Sequence, residues 1–219
     1  MGDKVRGVQR SLDRFGPAKT IYKILDRGLA RPLGIHFYRI RVRDVRAGGN
    51  SLPDIPGISI RELDPEELPE LARDPELRLA LDFVHAAIQR GDRAFGAFDT
   101  SKLIAYAWRS TSTAPHRHGV WVQVSSPYSY SYKVFTVPRY RGRGIAPGLI
   151  LFGDARMLEH GCTYRVGFVS LTNYSSLALS EAIHSRWAGL AGYIRKPGRP
   201  VIFHTRAVRK TGFEFFVPT

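Results

Sequence analysis

Residues 134–150 constrain the fold most strongly, because an apolar strand pattern runs into a glycine and arginine turn and then into an apolar helix pattern. Glycines allow positive φ and close approach of a ligand, and the free N–H groups at a helix start attract anions. Pro147 fits the first turn of such a helix, where its missing N–H has no partner to lose. The stretch therefore predicts a phosphate-binding turn, with positive charge supplied by Arg139, Arg141 and Arg143.

Two common phosphate-binding motifs do not fit this turn. The Walker motif requires Gly-Lys followed by Ser or Thr, and the sequence has no such tripeptide. The dinucleotide motif Gly-x-Gly-x-x-Gly begins correctly with Gly142 and Gly144, but Pro147 occupies the place of its third glycine. The turn must therefore be interpreted by another pattern.

The segment Arg139-Tyr140-Arg141-Gly142-Arg143-Gly144 resembles motif A of the GNAT family of N-acetyltransferases, Arg/Gln-x-x-Gly-x-Gly/Ala. In that family the loop holds the pyrophosphate of acetyl-CoA or another acyl-CoA. The resemblance implies that the coenzyme is bound by the end of the preceding strand, by the loop and by the helix start. These residues are Phe135, Thr136, Val137, Arg139, Arg141, Gly142, Arg143, Gly144, Ile145 and Ala146.

A later segment resembles motif B of the same family. Asn173 and Ser176 match its first two positions, which implies that they also contact the coenzyme. The third position is usually Tyr and is Ser180 in this chain. Two candidates for the catalytic acid follow: Ser180 acting through water, and Tyr132 on the strand before the turn. Packing is an equally good explanation for both.

The order of predicted elements indicates an α/β fold. Helices are predicted to begin near Asp64 and Pro75 and to span 144–160. Strands are predicted at 58–63, 93–98, 103–109, 120–124, 128–137, 163–169, 188–194, 201–208 and 213–217. Together with the GNAT resemblance, which covers the chain from about Ile58 onward, this order predicts a single mixed, mostly antiparallel sheet with helices on both faces. Its two central parallel strands, 132–137 and 163–169, should be splayed.

The N-terminal part differs in character from the rest. We assign residues 1–56 to a basic N-terminal extension and 57–219 to the GNAT-like domain. Ile21, Ile24, Leu25 and Leu29 recur at helical spacing, which predicts a short amphipathic helix. Its apolar face is expected to pack on the domain or on a second subunit of a homodimer, and an anionic membrane surface is the alternative. A strand is predicted at 37–43 and a linker at 47–51.

Charge and composition limit the function classes. Residues 1–50 carry 12 Lys and Arg against 4 Asp and Glu, 51–130 carry 8 against 11, and 131–219 carry 13 against 4. The basic C-terminal part suits coenzyme phosphates, and the acidic middle suits an amine. A single cysteine, Cys162, is expected to be a buried thiol in a reducing cytoplasm. No apolar run approaches the ~20 residues of a membrane span, and His116 and His118 are expected in a surface turn without a metal.

The predicted function is acyl transfer from acetyl-CoA or a longer acyl-CoA to an amine of a small molecule or protein. The neutral amine attacks the thioester directly, and a backbone N–H between Phe135 and Val137 stabilises the oxyanion. Acyl carrier protein is a second candidate donor, because a basic surface suits an acidic partner. Two alternatives stay open: nucleic-acid binding, from the basic ends and a pI of about 10.3, and a GNAT fold that binds CoA without catalysis, from Ser180.

Overall fold

The structure is a computed structural model, and it describes residues 20, 24, 28, 32–47 and 54–218. Of the four apolar positions in the predicted amphipathic helix, only Ile24 belongs to this set, so that helix stays a prediction. Most of the linker predicted at 47–51 also lies outside the described residues. The strand predicted at 37–43 is found as β1, Ile35–Asp44.

The elements after β1 follow the predicted order closely, with one additional short strand, β5. The further strands are β2 (Ile58–Leu63), β3 (Arg93–Asp99), β4 (Lys102–Ser110), β5 (Thr113–Pro115), β6 (Trp121–Val124), β7 (Tyr128–Thr136), β8 (Tyr164–Ser170), β9 (Arg186–Ile194), β10 (Val201–His204) and β11 (Phe213–Phe216). The α-helices are α1 (Leu68–Leu71), α2 (Leu81–Gln89), α3 (Ile145–Glu159) and α4 (Tyr174–Ala182).

Eight strands form one mixed sheet in the order β10-β9-β1-β8-β7-β4-β3-β2. Strands β7 and β8 run parallel, and the other neighbouring pairs in this sheet are antiparallel. Helices pack on both faces. On one face, Leu149 and Met157 of α3 pack with Phe95 and Ala105, and on the other, Val84 of α2 belongs to a second apolar cluster. The predicted fold class is confirmed.

A second sheet of three strands, in the order β11-β6-β5, adds to the predicted architecture. The sequence suggested that the last two strands would flank a turn at 210–212. Instead, β10 ends at His204, a 3₁₀ turn over Val208–Thr211 redirects the chain, and β11 pairs with β6. The redirection places Phe213 and Phe215 of β11 in the apolar cluster on the α2 face of the large sheet.

Strand β1 lies inside the large sheet, between β8 and β9, although it belongs to the N-terminal extension. Its side chains alternate between the two faces. Tyr38, Ile40 and Val42 lie in the apolar cluster on the α2 face, whereas Arg41 and Arg43 are buried on the opposite face. The domain boundary after residue 56 stays a prediction, but the strand on its N-terminal side completes the sheet.

Two predicted helix starts need correction. The first helix, α1, begins at Leu68 instead of near Asp64. Residues 65–67 form a turn in which the Asp64 carbonyl accepts hydrogen bonds from the amides of Glu67 and Leu68, and Pro69 has no N–H with which to continue these bonds to the Pro65 carbonyl. The helix predicted from Pro75 is divided. A 3₁₀ turn over Pro75–Leu77 ends at Arg78, whose φ of 51° is left-handed, and α2 begins at Leu81.

The two histidines of the Pro115–Gly119 loop have different environments. His118 is exposed, as expected for a surface turn. His116 is half-buried, with its Nε2 3.0 Å from the Tyr38 hydroxyl and its ring edge-on to Phe168. Burial lowers the pKa of His116 to about 4, so its imidazole is neutral near pH 7. Cys162 is buried beside α3, as predicted.

Candidate active site

The glycine turn joins β7 to α3 at the edge of the large sheet. A 3₁₀ turn over Pro138–Tyr140 leads into Gly142, with a φ of 82°, and Gly144, with a φ of 77°, which is the N-cap of α3. A Cβ built on either glycine would have no atom within 4 Å. Both glycines are therefore required by their backbone conformation, and the space beside them is open for a ligand.

The start of α3 supplies backbone donors to this open space. Its first-turn N–H groups have no partner inside the helix, and the helix dipole adds a partial positive charge. The side chain of Ile145 is buried in the core, so only its backbone can face a ligand. The loop has the geometry of an anion-binding site built mainly from main-chain atoms.

The arginines of the loop make different contacts. Arg139 forms a two-pronged ion pair with Glu76, and Lys102 Nζ lies 2.5 Å from the same carboxylate. Arg141 donates from Nε to the Thr136 carbonyl, 3.0 Å away. Arg143 is exposed, lies 5.6 Å from the Tyr140 ring, and has no carboxylate partner within the described part of the chain. Arg143 therefore has the guanidinium most available to an anionic ligand.

The loop is also held by residues distant in sequence. Tyr140 donates a hydrogen bond of 2.7 Å to Asp99, which lies in the β3–β4 hairpin. Glu76 comes from the 3₁₀ turn before α2 and bridges Arg139 to Lys102. Sequence reasoning missed Glu76 and Asp99, because no local pattern shows that they lie next to a loop about 40 to 60 residues later.

Glu76 provides a test of how the loop is held. Hydrogen bonds from Arg139 and Lys102 lower the pKa of Glu76 to about 2 from an ordinary value of 4.5. A lowered folded pKa contributes stability that is present above pH 4.5 and lost as the pH falls towards 2. We expect Glu76→Gln to lower the melting temperature slightly at pH 7, with a difference that shrinks below pH 4. A difference that is unchanged down to pH 2.5 would exclude the ion pair as its cause.

A gap opens between β7 and β8 immediately next to the loop. The two strands pair only from Tyr128 to Tyr130 on β7 and from Tyr164 to Val166 on β8. From Ser131 onward β7 remains paired with β4 alone. The predicted splaying of the central parallel strands is therefore present, and it leaves the β8-facing main chain of β7 without a strand partner.

The gap narrows the choice of oxyanion donor. The amide of Val137 donates to the Ile104 carbonyl at 2.9 Å and is already used. Because N–H groups alternate in direction along a strand, the amide of Phe135 also faces β4 and that of Thr136 faces the gap. The ring of Phe135 stacks on Tyr106, 5.5 Å away. Thr136 is thus the best placed of the three predicted positions.

Helix α4 begins at the same edge of the sheet as the glycine loop, because parallel strands end at the same edge and α4 follows β8. Asn173 is its N-cap, and its side chain accepts a hydrogen bond of 3.3 Å from the amide of Ser176. Ser180 donates from Oγ to the Ser176 carbonyl at 2.9 Å. The Ser180 hydroxyl is therefore bonded within its own helix.

Tyr132 is held in a buried polar cluster on the α2 face. Its hydroxyl donates to Asp92 at 2.7 Å, and Arg90 lies 2.8 Å from the same carboxylate. Burial, reinforced by the charge of Asp92, raises the pKa of Tyr132. The phenol proton is directed at Asp92, which favours packing over proton transfer for this tyrosine.

Other candidate sites are separate from the gap. An open cleft of about 680 Å³ lies between β10 and β11, lined by residues that include Arg199, His204, Arg209 and Glu214, and it shares no residue with the glycine loop. Within residues 32–47 and 54–218, no group of three or more His, Cys, Asp or Glu side chains could hold a metal ion. No described helix is both long and apolar enough to cross a membrane.

Comparison with known proteins identifies the family. The acetyltransferase (GNAT) family model matches residues 58–184, which is more than half of the chain and includes the loop, the gap and α4. The chain belongs to the GNAT acetyltransferase family. No curated protein sequence matches it.

Solved structures support the same fold. A Drosophila protein of 18% identity aligns over 78% of this chain and 56% of its own, with a TM-score of 0.50. A tandem GNAT protein from the clavulanic acid biosynthesis pathway has 18% identity over 75% of this chain and 55% of its own, also with a TM-score of 0.50. A GCN5-related N-acetyltransferase from Kribbella flavida has 12% identity over 78% of this chain and 65% of its own, with a TM-score of 0.51. The chain thus spans about half to two thirds of these proteins.

Proposed function

We propose that this chain transfers an acetyl or longer acyl group from coenzyme A to an amine. The observation that carries the proposal is the glycine loop at the start of α3, which lies at the open end of the β7–β8 gap. A pyrophosphate suits the backbone donors of the loop, and an extended thioester arm suits the unpaired main chain of β7. The two features together favour an acyl-CoA over an isolated phosphate.

The loop residues have distinct roles in this proposal. Gly142 and Gly144 give the phosphates access to the main chain, and the amides of Ile145 and Ala146 donate to them. Arg143 adds charge. Arg139 and Arg141 hold the loop in shape through Glu76 and the Thr136 carbonyl, respectively. The amide of Thr136 stabilises the oxyanion, and Asn173 and Ser176 form the opposite side at the start of α4.

The acceptor is proposed from charge, and the cytoplasmic location is proposed from the single cysteine, Cys162. The acidic middle of the chain favours a cationic amine, from a small molecule or a protein. The basic C-terminal part would also suit acyl carrier protein as donor. We propose a cytoplasmic enzyme, acting as a monomer or homodimer, that uses no metal.

Thermal melting with acetyl-CoA, octanoyl-CoA and palmitoyl-CoA tests the proposal. A ligand at 100 times its dissociation constant adds about 2.7 kcal/mol of stability, which raises the melting temperature measurably. A rise with at least one acyl-CoA is expected, and the size of the rise ranks the acyl chains. No rise with any of the three, together with a rise on adding an oligonucleotide that disappears at high salt, would favour nucleic-acid binding instead.

The two candidate acids can be separated by substitution. We expect Ser180→Ala to change the free energy of unfolding by less than about 1 kcal/mol, because its hydroxyl bonds only its own helix. Tyr132→Phe should destabilise the fold by about 1–3 kcal/mol, because Asp92 loses a buried donor. Urea unfolding measures both values.

The same two variants test catalysis. Turnover per folded molecule should fall less than tenfold in each, whereas loss of a catalytic acid costs about 10²–10⁴-fold. A loss of that size in either variant would assign the acid to that residue. A CoA-binding fold without catalysis would instead show coenzyme binding in the unmodified chain and no turnover of any amine.

A further inference from the structure

Strand β7 contains a bulge where it leaves β8. Trp108 on β4 pairs with Tyr132, and Tyr106 pairs with Phe135, so two residues of β7 lie opposite the single residue Ala107. The first of the two is Lys133, whose φ of 48° is left-handed. A left-handed lysine within a strand is strained, and bulges next to active sites commonly redirect a side chain.

The bulge turns Lys133 to the α2 face. Its Nζ lies 4.2 Å from the centroid of the Phe83 ring on α2. The same ring is edge-on to Trp108, at 5.1 Å, and to Tyr132, at 6.0 Å. Neighbouring residues of a regular strand point to opposite faces, so Lys133 and Tyr132 can both contact Phe83 only because of the bulge.

Lys133 lies on the splayed part of β7. The last residue of β7 that pairs with β8 is Tyr130, three positions earlier. Helix α3, which follows the glycine loop, packs on the opposite face of the sheet. If the coenzyme enters from the loop, as the proposed function requires, the α2 face is the side from which an acceptor can reach the gap.

Lys133 is also chemically distinct. It is exposed, yet among the described residues it has no carboxylate partner, unlike Lys102 with Glu76. Two charged groups on the turn after α2, Arg90 and Asp92, are paired with each other. Partial burial lowers the pKa of Lys133, and no neighbouring charge contributes to that shift.

We propose that Lys133 is the base that removes a proton from the acceptor amine. This inference rests on the proposed acyl transfer. The neutral Nζ takes one proton from the acceptor ammonium, and the resulting amine attacks the thioester carbonyl carbon. The C–N bond forms as the C–S bond breaks. The second nitrogen proton passes to the departing thiolate, and the first leaves Lys133 for solvent.

Competitive labelling measures the titration of Lys133 without any acceptor. Trace acetic anhydride acetylates neutral amines, and peptide mass spectrometry reads each lysine separately across a pH series. We expect the midpoint for Lys133 to lie below the ordinary lysine value of about 10.4 and that for Lys102 to lie above it. CoA should protect Lys133 from labelling. A midpoint at or above the ordinary value would overturn the proposal, as would equal labelling in the presence of CoA that raises the melting temperature.

Variants distinguish a base from a fixed positive charge. Lys133→Arg keeps the charge over Phe83 but cannot lose its proton near neutral pH, and Lys133→Met keeps only the apolar stem. With spermidine or a lysine-containing peptide as amine probe, both variants should lose about 10²-fold in turnover while the acetyl-CoA melting shift is retained. Lys196→Arg, on the exposed β9–β10 loop, is the matched control.

The experiments distinguish failure of the proposed acyl transfer from failure of the proposed role of Lys133. No melting shift with any acyl-CoA in the unmodified chain contradicts the proposed function itself. A normal melting shift combined with full turnover in Lys133→Arg contradicts the role of Lys133 alone. If neither amine probe is a substrate, protection of Lys133 by CoA in the labelling experiment supports the placement, and its absence overturns it.

Discussion

Replacing Asp154 with asparagine is expected to destabilise the fold by about 3–5 kcal/mol, because it removes the only carboxylate bonded to three buried arginines in the described structure. Asp154 lies on α3 and is 2% exposed. Its oxygens lie 3.0 Å from Arg109 on β4, 3.0 Å from Arg165 on β8 and 3.4 Å from Arg43 on β1. One side chain therefore joins the helix after the glycine loop to three strands of the sheet.

The arginines around Asp154 are held by further bonds that the substitution would leave in place. Arg43 donates to the Ile183 carbonyl at 2.8 Å, and Arg165 donates to Ser185 Oγ at 2.6 Å. Burial lowers the pKa of Arg109 to about 10, against the opposing attraction of Asp154. The guanidinium groups would thus stay buried and charged without a counter-ion, which is the costly outcome for a broken buried pair.

Urea unfolding at pH 7 measures the change in the free energy of unfolding for Asp154→Asn. Glu159→Gln is the matched control, because Glu159 also lies on α3 and pairs with an arginine, Arg156, but at the exposed surface. Its effect should stay within about 0.5 kcal/mol. Equal, small effects of the two substitutions would show that Asp154 does not hold the helix to the sheet.

The sequence predicted best the elements that are fixed by local signals. The β3–β4 hairpin turns at Thr100 and Ser101 as expected, and α3 ends just before Gly161, whose φ is 80°. The glycine loop could be predicted because the two positions that need a positive φ, Gly142 and Gly144, are both glycine and lie close together in the sequence. Such features depend on backbone preferences over a few positions, and those are visible in one sequence.

Long-range pairing was not predictable in the same way. Nothing in residues 37–43 indicates that this strand lies between β8 and β9, because its arginines suggest a half-exposed strand. Arg41 and Arg43 are instead buried, and they donate to the carbonyls of Ser185 and Ile183 in the segment after α4. Burial of a charged side chain depends on partners more than 100 residues away, which periodicity cannot reveal.

In the candidate site, too, the local features could be predicted from the sequence and the long-range contacts could not. Motif A indicated the position of the glycine loop, but it did not indicate the contacts that distinguish its arginines. Arg139 forms an ion pair with Glu76, whereas Arg143 is exposed. Lys133 carried no signal in the sequence, because it sits within a strand pattern, and only the bulge turns it to the α2 face. The residues of the glycine loop could be identified from a local sequence motif, whereas the position of Lys133 on the acceptor side depends on the tertiary structure.

Replacing Gly144 with alanine is expected to remove coenzyme binding while the fold persists. Its φ of 77° is left-handed, a conformation that costs a non-glycine residue about 1–2 kcal/mol. The added Cβ meets no protein atom within 4 Å, so it does not disturb packing. It does project into the open space beside the first turn of α3, where the phosphates must approach the main chain.

Gly161→Ala separates this effect from backbone strain. Gly161 follows the other end of α3, with a φ of 80° and equally open surroundings, so both substitutions should lower the melting temperature by similar amounts. Only Gly144→Ala should lose the melting shift at an acetyl-CoA concentration that saturates the unmodified chain, which corresponds to about 100-fold weaker binding. An unchanged shift in Gly144→Ala would mean that the loop does not hold the coenzyme. A shift lost in both variants would mean that strain in α3, and not access to the loop, controls binding.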